Sequence, residues 1–363
     1  MTTEKIKRMV AAYDEELSVP YFLSSLFRSP AENFVGSAEL IEWDVMRHEE
    51  DVAVPQKDPS TGYRYNQFSG YTNKQVDAPT YKEAFAIAAS TLNAGKSFGR
   101  DAYDDPSFQE KAAAKTLIGM RKLEQKIRRG MELQASQILT TGVLNLTDTA
   151  GNTAFAVDFA PKAATHFTNA GTAWSTATDP VVDDILPLCD AIRNDGKRDP
   201  IRMHMGEGSW EAALAITKFT DRLKDQFLNL GSSTPMPNPG TNGGNLRGWL
   251  EVGSYRLEIY TYGGRYKHPQ TGTVTKYIPD DKVIIESGGR LDAYFGAIPN
   301  FGQDGRALRY MPSSRFASPG RGMDMTVNAW LDNPGEVLNV GVGARVLLVP
   351  TAIDTFGCLD TGI

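Results

Sequence analysis

Residues 105–142 read DPSFQEKAAAKTLIGMRKLEQKIRRGMELQASQILTTG, and they set the frame for the rest of the chain. Asp105 suits an N-cap, Pro106 the first helical turn and Gly142 the position just past the end. Between them Ala113, Leu117, Met120, Leu123, Ile127, Met131, Ala135 and Ile138 step by three or four, which predicts one helix over about 106–141 with a single apolar face. Lys111, Lys115, Arg121, Lys122, Lys126, Arg128 and Arg129 mostly occupy the remainder, and Glu124 stands four residues before Arg128. At about 1.5 Å per residue the helix runs roughly 50 Å. That is long for a globular protein, and Gly119 and Gly130 weaken it by up to about 1 kcal/mol each. A coiled coil is the rival reading, but heptads do not continue past Gly142. A single spine helix laid against a sheet fits better.

Upstream, Ile6, Met9, Val10 and Tyr13 recur at helical spacing, and Pro20-Tyr-Phe-Leu-Ser-Ser-Leu-Phe27 forms an apolar anchor. Glu39-Leu-Ile-Glu-Trp-Asp-Val-Met46 reads as a strand of imperfect period two. Residues 51–80 change character, with Pro55, Pro59, Gly62, Gly70 and Pro79 punctuating a polar, tyrosine-rich stretch. Within it Tyr63, Tyr65 and Gln67 alternate with Arg64, Asn66 and Phe68, which suits one arm of a hairpin. These aromatics need burial and have few local apolar partners, so an arm packed on a neighbouring molecule is preferred to a loop folded over a site.

Downstream, Ala154 to Phe159 alternates as a strand, with Thr165-His-Phe-Thr168 as its expected partner. Asp179-Pro180 opens a helix carrying Val181, Ile185, Leu188, Cys189 and Ile192 and closing at Gly196. Ile201 to Met205 reads as a buried strand, followed by one helix from Gly208 to Leu228. Proline and glycine crowd residues 231–248, read as a loop; residues 249–295 are strands, and the last strand runs from Gly335 to Ala352. Helices and strands are mixed without regular alternation, so the expected class is α+β, not a doubly wound sheet.

The 363 residues are 41% apolar and 23% charged, an ordinary globular balance that at this length implies two domains or lobes. Thirty-eight Lys and Arg against 44 Asp and Glu give a net charge of −6, which opposes tight DNA binding over the whole surface but not a wall that encloses DNA. Cys189 and Cys358 suggest neither a disulfide scaffold nor a metal cluster. The start lacks an apolar signal region, and no run of 18 apolar residues occurs, so no membrane partner is expected and the protein should stay soluble until it meets its partners.

Catalytic chemistry is hard to find. His48, His166, His204 and His268 are scattered without metal spacing, and His204, in an apolar strand, reads as a core histidine. Gly341-Val-Gly343 lacks the context of a dinucleotide site and reads as two strand glycines approached closely by a neighbouring backbone. Ser209 is misplaced for a nucleophile elbow and suits a helix cap. Asp179, Asp183 and Asp184 could make a cation patch, but acids in a first helical turn follow from the helix dipole alone. The basic face of the spine helix could touch DNA; a solvated, ion-paired face is preferred. No catalytic residue, cofactor or metal is expected.

In order along the chain, several motifs resemble the lambda-type major capsid proteins, the major capsid protein E family with the Hong Kong 97-type fold. They are Pro20 to Phe27, Asp77-Ala-Pro-Thr-Tyr-Lys-Glu83, Phe155-Ala-Val-Asp-Phe159, the Thr172-Ala-Trp-Ser175 turn before Asp179-Pro-Val-Val-Asp-Asp-Ile185, Ser209-Trp-Glu-Ala-Ala-Leu214, Asp221-Arg-Leu-Lys-Asp225, Tyr277-Ile-Pro-Asp280 and the closing apolar strand. Each motif is weak alone; their order and spacing over roughly residues 15–360 carry the resemblance. It implies an N-terminal arm over 1–50, an extended loop over 51–80, a peripheral domain over 81–178 and 328–363, and an axial domain over 179–327 with residues 231–248 near the capsomer axis. It further implies self-assembly as hexamers and pentamers into an icosahedral head around double-stranded DNA, with scaffold and portal as partners and a decoration protein as a possible one. Assembly would take place in a bacterial host's cytoplasm. Inter-subunit contacts are expected from Tyr63, Tyr65, Phe68, Tyr71, Tyr21 and Phe22. Lys57 lies in the extended loop, but nothing identifies a cross-linking pair. The alternative is a soluble oligomeric enzyme or binding module with residues 51–80 as a lid.

Overall fold

The computed structural model describes residues 22–27, 40–45, 72–93, 108–148, 150–228, 243–289, 291–296, 298–301, 307–310, 325–332 and 336–363. The chain divides into two compact units: Met1–Ile41, Asp77–Leu133 and Ala293–Leu348 form the first, and Glu42–Val76, Gln134–Asp292 and Val349–Ile363 the second.

The spine helix is continuous over Phe108–Thr141, and Gly142 follows it with φ +70, its N–H returning to the Ile138 carbonyl. Glycine at this position adopts the left-handed turn without a Cβ penalty. In the first unit the helix packs on a sheet centred on Val337–Pro350. Thr80–Ala88 and Thr326–Asp332 both pair with that strand antiparallel, and Leu291–Phe295 completes the sheet. Period-two spacing turns Val340, Val342 and Ala344 to the helix, where they meet Met120 and Ile127. The buried alanine near the helix start is Ala112, not the expected Ala113, which is half-buried.

Gly119 and Gly130, read from sequence as weak points, are slots for aromatic rings. A Cβ on Gly119 would fall 2.2 Å from the Phe85 ring, and one on Gly130 would fall 3.1 Å from that of Tyr81. Both rings come from Thr80–Ala88, so the lost helix propensity is exchanged for close packing of helix on strand. Of the two strand glycines, Gly341 is met by the Trp330 indole, 3.2 Å from a built Cβ, and by the backbone carbonyl of Glu83 at 3.6 Å.

The second unit holds a six-stranded mixed sheet in the order Phe167–Asn169, Phe356–Asp360, Lys282–Glu286, Arg202–Met205, Tyr255–Tyr262 and Gly244–Val252. Met203, Met205, Leu257, Ile259, Val283 and Ile285 share one apolar cluster. Against it lie Val181, Ile185, Leu188, Cys189 and Ile192, the five residues expected on the helix opened by Asp179-Pro180. That helix begins as a π-helical turn over Val181–Ile185, continues as Leu186–Gly196, and ends where Lys197 turns left-handed.

Four expectations fail here. The helix expected from Gly208 to Leu228 is two helices, Glu207–Ala215 and Thr217–Leu228, because Ile216 is extended (φ −87, ψ 117) and turns its side chain into the core. The strand Thr153–Asp158 pairs with Val143–Thr147 in a local hairpin, not with Thr165 to Thr168. Phe167–Asn169 instead joins Phe356–Asp360 in parallel, which makes that strand, and not the one ending near Ala352, the last. Residues 244–248, assigned to the loop, are strand; residues 229–242 lie outside the described residues.

Candidate assembly surface

Of the expected contact residues, Tyr21, Tyr63, Tyr65, Phe68 and Tyr71 lie outside the described residues. So does Lys57. The strands on either side of the tyrosine-rich stretch, Leu40–Val45 and Thr72–Asp77, pair with each other in a two-stranded sheet. Phe22 is described and is 6% exposed, so its own chain already covers most of the ring.

Phe22, Leu23 and Phe27 are all buried around a 3-10 turn at Ser24–Leu26. The turn is capped from outside its own sequence: Leu23 N–H donates to Glu132 Oε1 and Ser24 N–H to Glu132 Oε2, each at 2.8 Å. Glu132 is wholly buried on the spine helix. Sequence reasoning passed over it, and the only signal was a carboxylate adjoining the apolar stripe beside Met131.

Elsewhere the first unit presents apolar surface at a sheet edge. Among the described residues, Thr326–Asp332 pairs on one side only, and it exposes Trp330 (48%) and Leu331 (59%). An open edge with large apolar side chains is a site that another polypeptide can cover. The basic face of the spine helix exposes Lys115, Lys122, Lys126 and Arg129. Acids moderate it: Lys126 pairs with Glu83 at 2.6 Å and Arg128 with Glu124 at 3.3 Å.

His48 lies outside the described residues, and several of the other candidate residues serve the fold. Asp179 pairs with Arg222 at 3.0 Å, and Asp184 accepts from the Trp174 indole and the Gly171 N–H. Ser209 does not cap a helix; its hydroxyl donates to the Asp280 carbonyl and lies 3.0 Å from the Thr361 hydroxyl. Cys189 and Cys358 are free and buried, and burial pushes both thiols up to about 12, away from reactivity. His166 is buried between the Phe356 carbonyl and the Asp195 carboxylate. Among the described residues no three His, Cys, Asp or Glu side chains gather as a metal site, and no helix is long and apolar enough to cross a membrane.

His204 is a core histidine on the opposite face of the sheet from the apolar cluster, beside Arg202, Glu258, Tyr260 and Glu286. Burial alone would raise the Glu286 carboxyl. The His204 ring 3.8 Å away, the Arg202 guanidinium at 2.9 Å and the Gly288 N–H overcome that and hold it at about 2, against an ordinary 4.5. A carboxylate depressed in the fold contributes stability above its unfolded pKa and loses it as pH falls through the folded one. The melting temperature should therefore decline between pH 4.5 and 2, with Asp280 and Asp360, each held down by a lysine hydrogen bond, adding to the trend. Melts of wild type and Glu286→Gln across that range check this. If the two curves fall in parallel, Glu286 is not a source of the acid sensitivity.

The family model described as phage major capsid protein E matches residues 53–356. No curated protein matches the sequence significantly. Among solved structures, a protein assigned as a prophage capsid protein of E. coli CFT073 is similar over 99% of both chains, with 15% identity and a TM-score of 0.60. A phage-related protein of Bordetella bronchiseptica RB50 aligns over 98% of this chain and 96% of its own, with 11% identity and a TM-score of 0.49. The capsid of the cyanophage P-SCSP1u aligns over 95% and 89%, with 8% identity and a TM-score of 0.48.

Proposed function

The chain belongs to the phage major capsid protein E family, and on that premise we propose that it assembles as hexamers and pentamers into a head enclosing double-stranded DNA. It is a structural protein of the virion that associates with itself, not an enzyme, and its fold is α+β of the Hong Kong 97 type. A lid over residues 51–80 therefore has no active site to cover. The observation that carries this reading is a family match extending over residues 53–356 of 363.

The finer assignments follow the family's plan: an N-terminal arm over 1–50, an extended loop over 51–80, a peripheral domain over 81–178 and 328–363, and an axial domain over 179–327. Tyr63, Tyr65, Phe68, Tyr71 and Tyr21 are the aromatic anchors on neighbouring copies, while Phe22 has little surface left to offer. The exposed Trp330 and Leu331 are consistent with a surface that assembly covers. Many modest contacts multiplied by closed symmetry then give one stable shell. Scaffold and portal proteins act during assembly in the host cytoplasm, and a decoration protein could stabilise the shell. Packaged DNA is met without sequence recognition: the net charge is −6, and the basic helix face is partly ion-paired.

Co-expression with the scaffold protein, followed by sedimentation and electron microscopy, tests the proposal. The expected product is a shell, or ring-shaped capsomers that convert to shells. A monomer or dimer under every assembly condition would overturn it.

A further inference from the structure

We propose that Glu132 is an assembly-positioning residue that latches the chain at residues 22–27 to the spine helix, and that shell formation depends on this latch. The inference rests on the shell-forming function above and adds a control point within the subunit.

The turn Ser24–Leu26 is three residues long and cannot hold itself together, since the first turn of a helix costs more order than its single hydrogen bond returns. Its starting N–H groups have no partner within the turn. Glu132, 109 and 108 residues away, supplies one carboxylate oxygen to each. Bonds from N–H to an ionised carboxylate are stronger than neutral ones; here the Leu23 bond is buried and the Ser24 bond partly so. Ser25 closes the turn through its hydroxyl to the Phe22 carbonyl, and Phe22, Leu23 and Phe27 fill the space around it.

The dependence is mutual. A carboxylate out of water is costly without donors, and the two N–H groups are among those that Glu132 uses. Turn and carboxylate are thus expected to form and release together. Recognition is through backbone, so the latch fixes position and direction, whatever side chains lie further along. A closed shell needs every copy to present its surfaces in one geometry, so a segment released from the helix is expected to disturb assembly.

The test uses the full chain with Glu132→Gln, Leu23→Ala and the double variant. Glutamine keeps the size of the side chain, but its NH2 cannot accept from an N–H. The melting temperature should fall by about 5 °C in each single variant. The double variant should melt near the lower of the two, because either change alone releases the segment. Trypsin should cut after Arg28, just past the turn, at least about tenfold faster than in wild type, by analogy with the factor of ten that each 1.4 kcal/mol of local opening gives. Shells from the variants should be fewer or irregular.

Normal shells with wild-type trypsin kinetics from Glu132→Gln would overturn the latch. So would strictly additive melting shifts, which would make Glu132 a support of the helix alone. If Glu132→Gln does not fold, Leu23→Ala decides: it loosens the same segment without touching the helix, and normal shells from it refute the proposal. If wild type itself forms no shell, the capsid reading fails, and melting and proteolysis still judge the latch.

Discussion

Ile127→Asp should leave no folded subunit at any temperature compatible with expression, whereas Arg128→Ala, one residue along, should fold and melt within a few degrees of wild type. Ile127 is 1% exposed and lies between Met120 on its own helix and Val340, Val342 and Ala344 on the facing sheet. Aspartate there loses the apolar contacts, worth about 2–5 kcal/mol for a residue of this size. It also brings a carboxylate that must either stay charged without water or take up a proton at a further cost of several kcal/mol. Domain stabilities are only about 5–15 kcal/mol, so the sum removes most or all of the margin. Arg128 faces the other way, partly exposed, and pairs with Glu124 one turn back. An exposed pair at this spacing contributes about 0.3–0.5 kcal/mol, and this part-buried, hydrogen-bonded one about 1–2 kcal/mol, still well below the cost at Ile127. Circular dichroism melts of the two variants side by side check the assignment, and equal stability would mean that the helix face is misread.

Deleting residues 57–70 should leave a folded subunit that cannot build a stable shell. The deletion removes Tyr63, Tyr65 and Phe68 from a stretch too polar to make a core of its own. It spares Leu40–Val45 and Thr72–Asp77, which pair with each other, and residues 46–56 and 71 still connect them. With those two strands kept and so polar a stretch removed, loss of folding is not expected. Aromatic anchors desolvated on a partner can each contribute about 2 kcal/mol or more, and in a closed shell that loss recurs at every copy. Circular dichroism should give a spectrum close to wild type, and electron microscopy of the variant with scaffold should show no intact shells. Complete shells from the shortened chain would remove the inter-subunit role; an unfolded chain would place these aromatics in the subunit core.

How much of this was legible in the sequence varied with the range of the interactions concerned. The spine helix was legible because its signals are local: a step of three or four that buries Met120, Ile127, Met131, Ala135 and Ile138, and a glycine able to turn left-handed at 142. The strand at Thr153–Asp158 and the five buried residues of the helix after Pro180 were readable for the same reason. The aromatic segment that separates a shell arm from an enzyme lid was visible as composition, but composition does not say which surface the rings meet.

Pairing was not legible, because a strand carries its period but not its partner. Nothing in Phe167-Thr-Asn169 points to Phe356–Asp360, nearly 190 residues on, and the partner expected for Thr153–Asp158 was instead supplied by the adjacent hairpin. Residue types that contradict local rules were decided by distant groups. Gly119 and Gly130 look like flaws until Phe85 and Tyr81 arrive to fill them. Ile216 continues a helical pattern, yet the chain breaks there and its side chain enters the core. Glu132 looks like surface charge, yet it is buried, because the N–H groups of Leu23 and Ser24 come to it from the far end of the chain. The sequence by itself determined the helix, its apolar face and the resemblance to shell proteins, all of which rest on order and period along the chain. Only the tertiary structure decided which polar group could be buried and which glycine was needed, since both depend on what lies opposite in space.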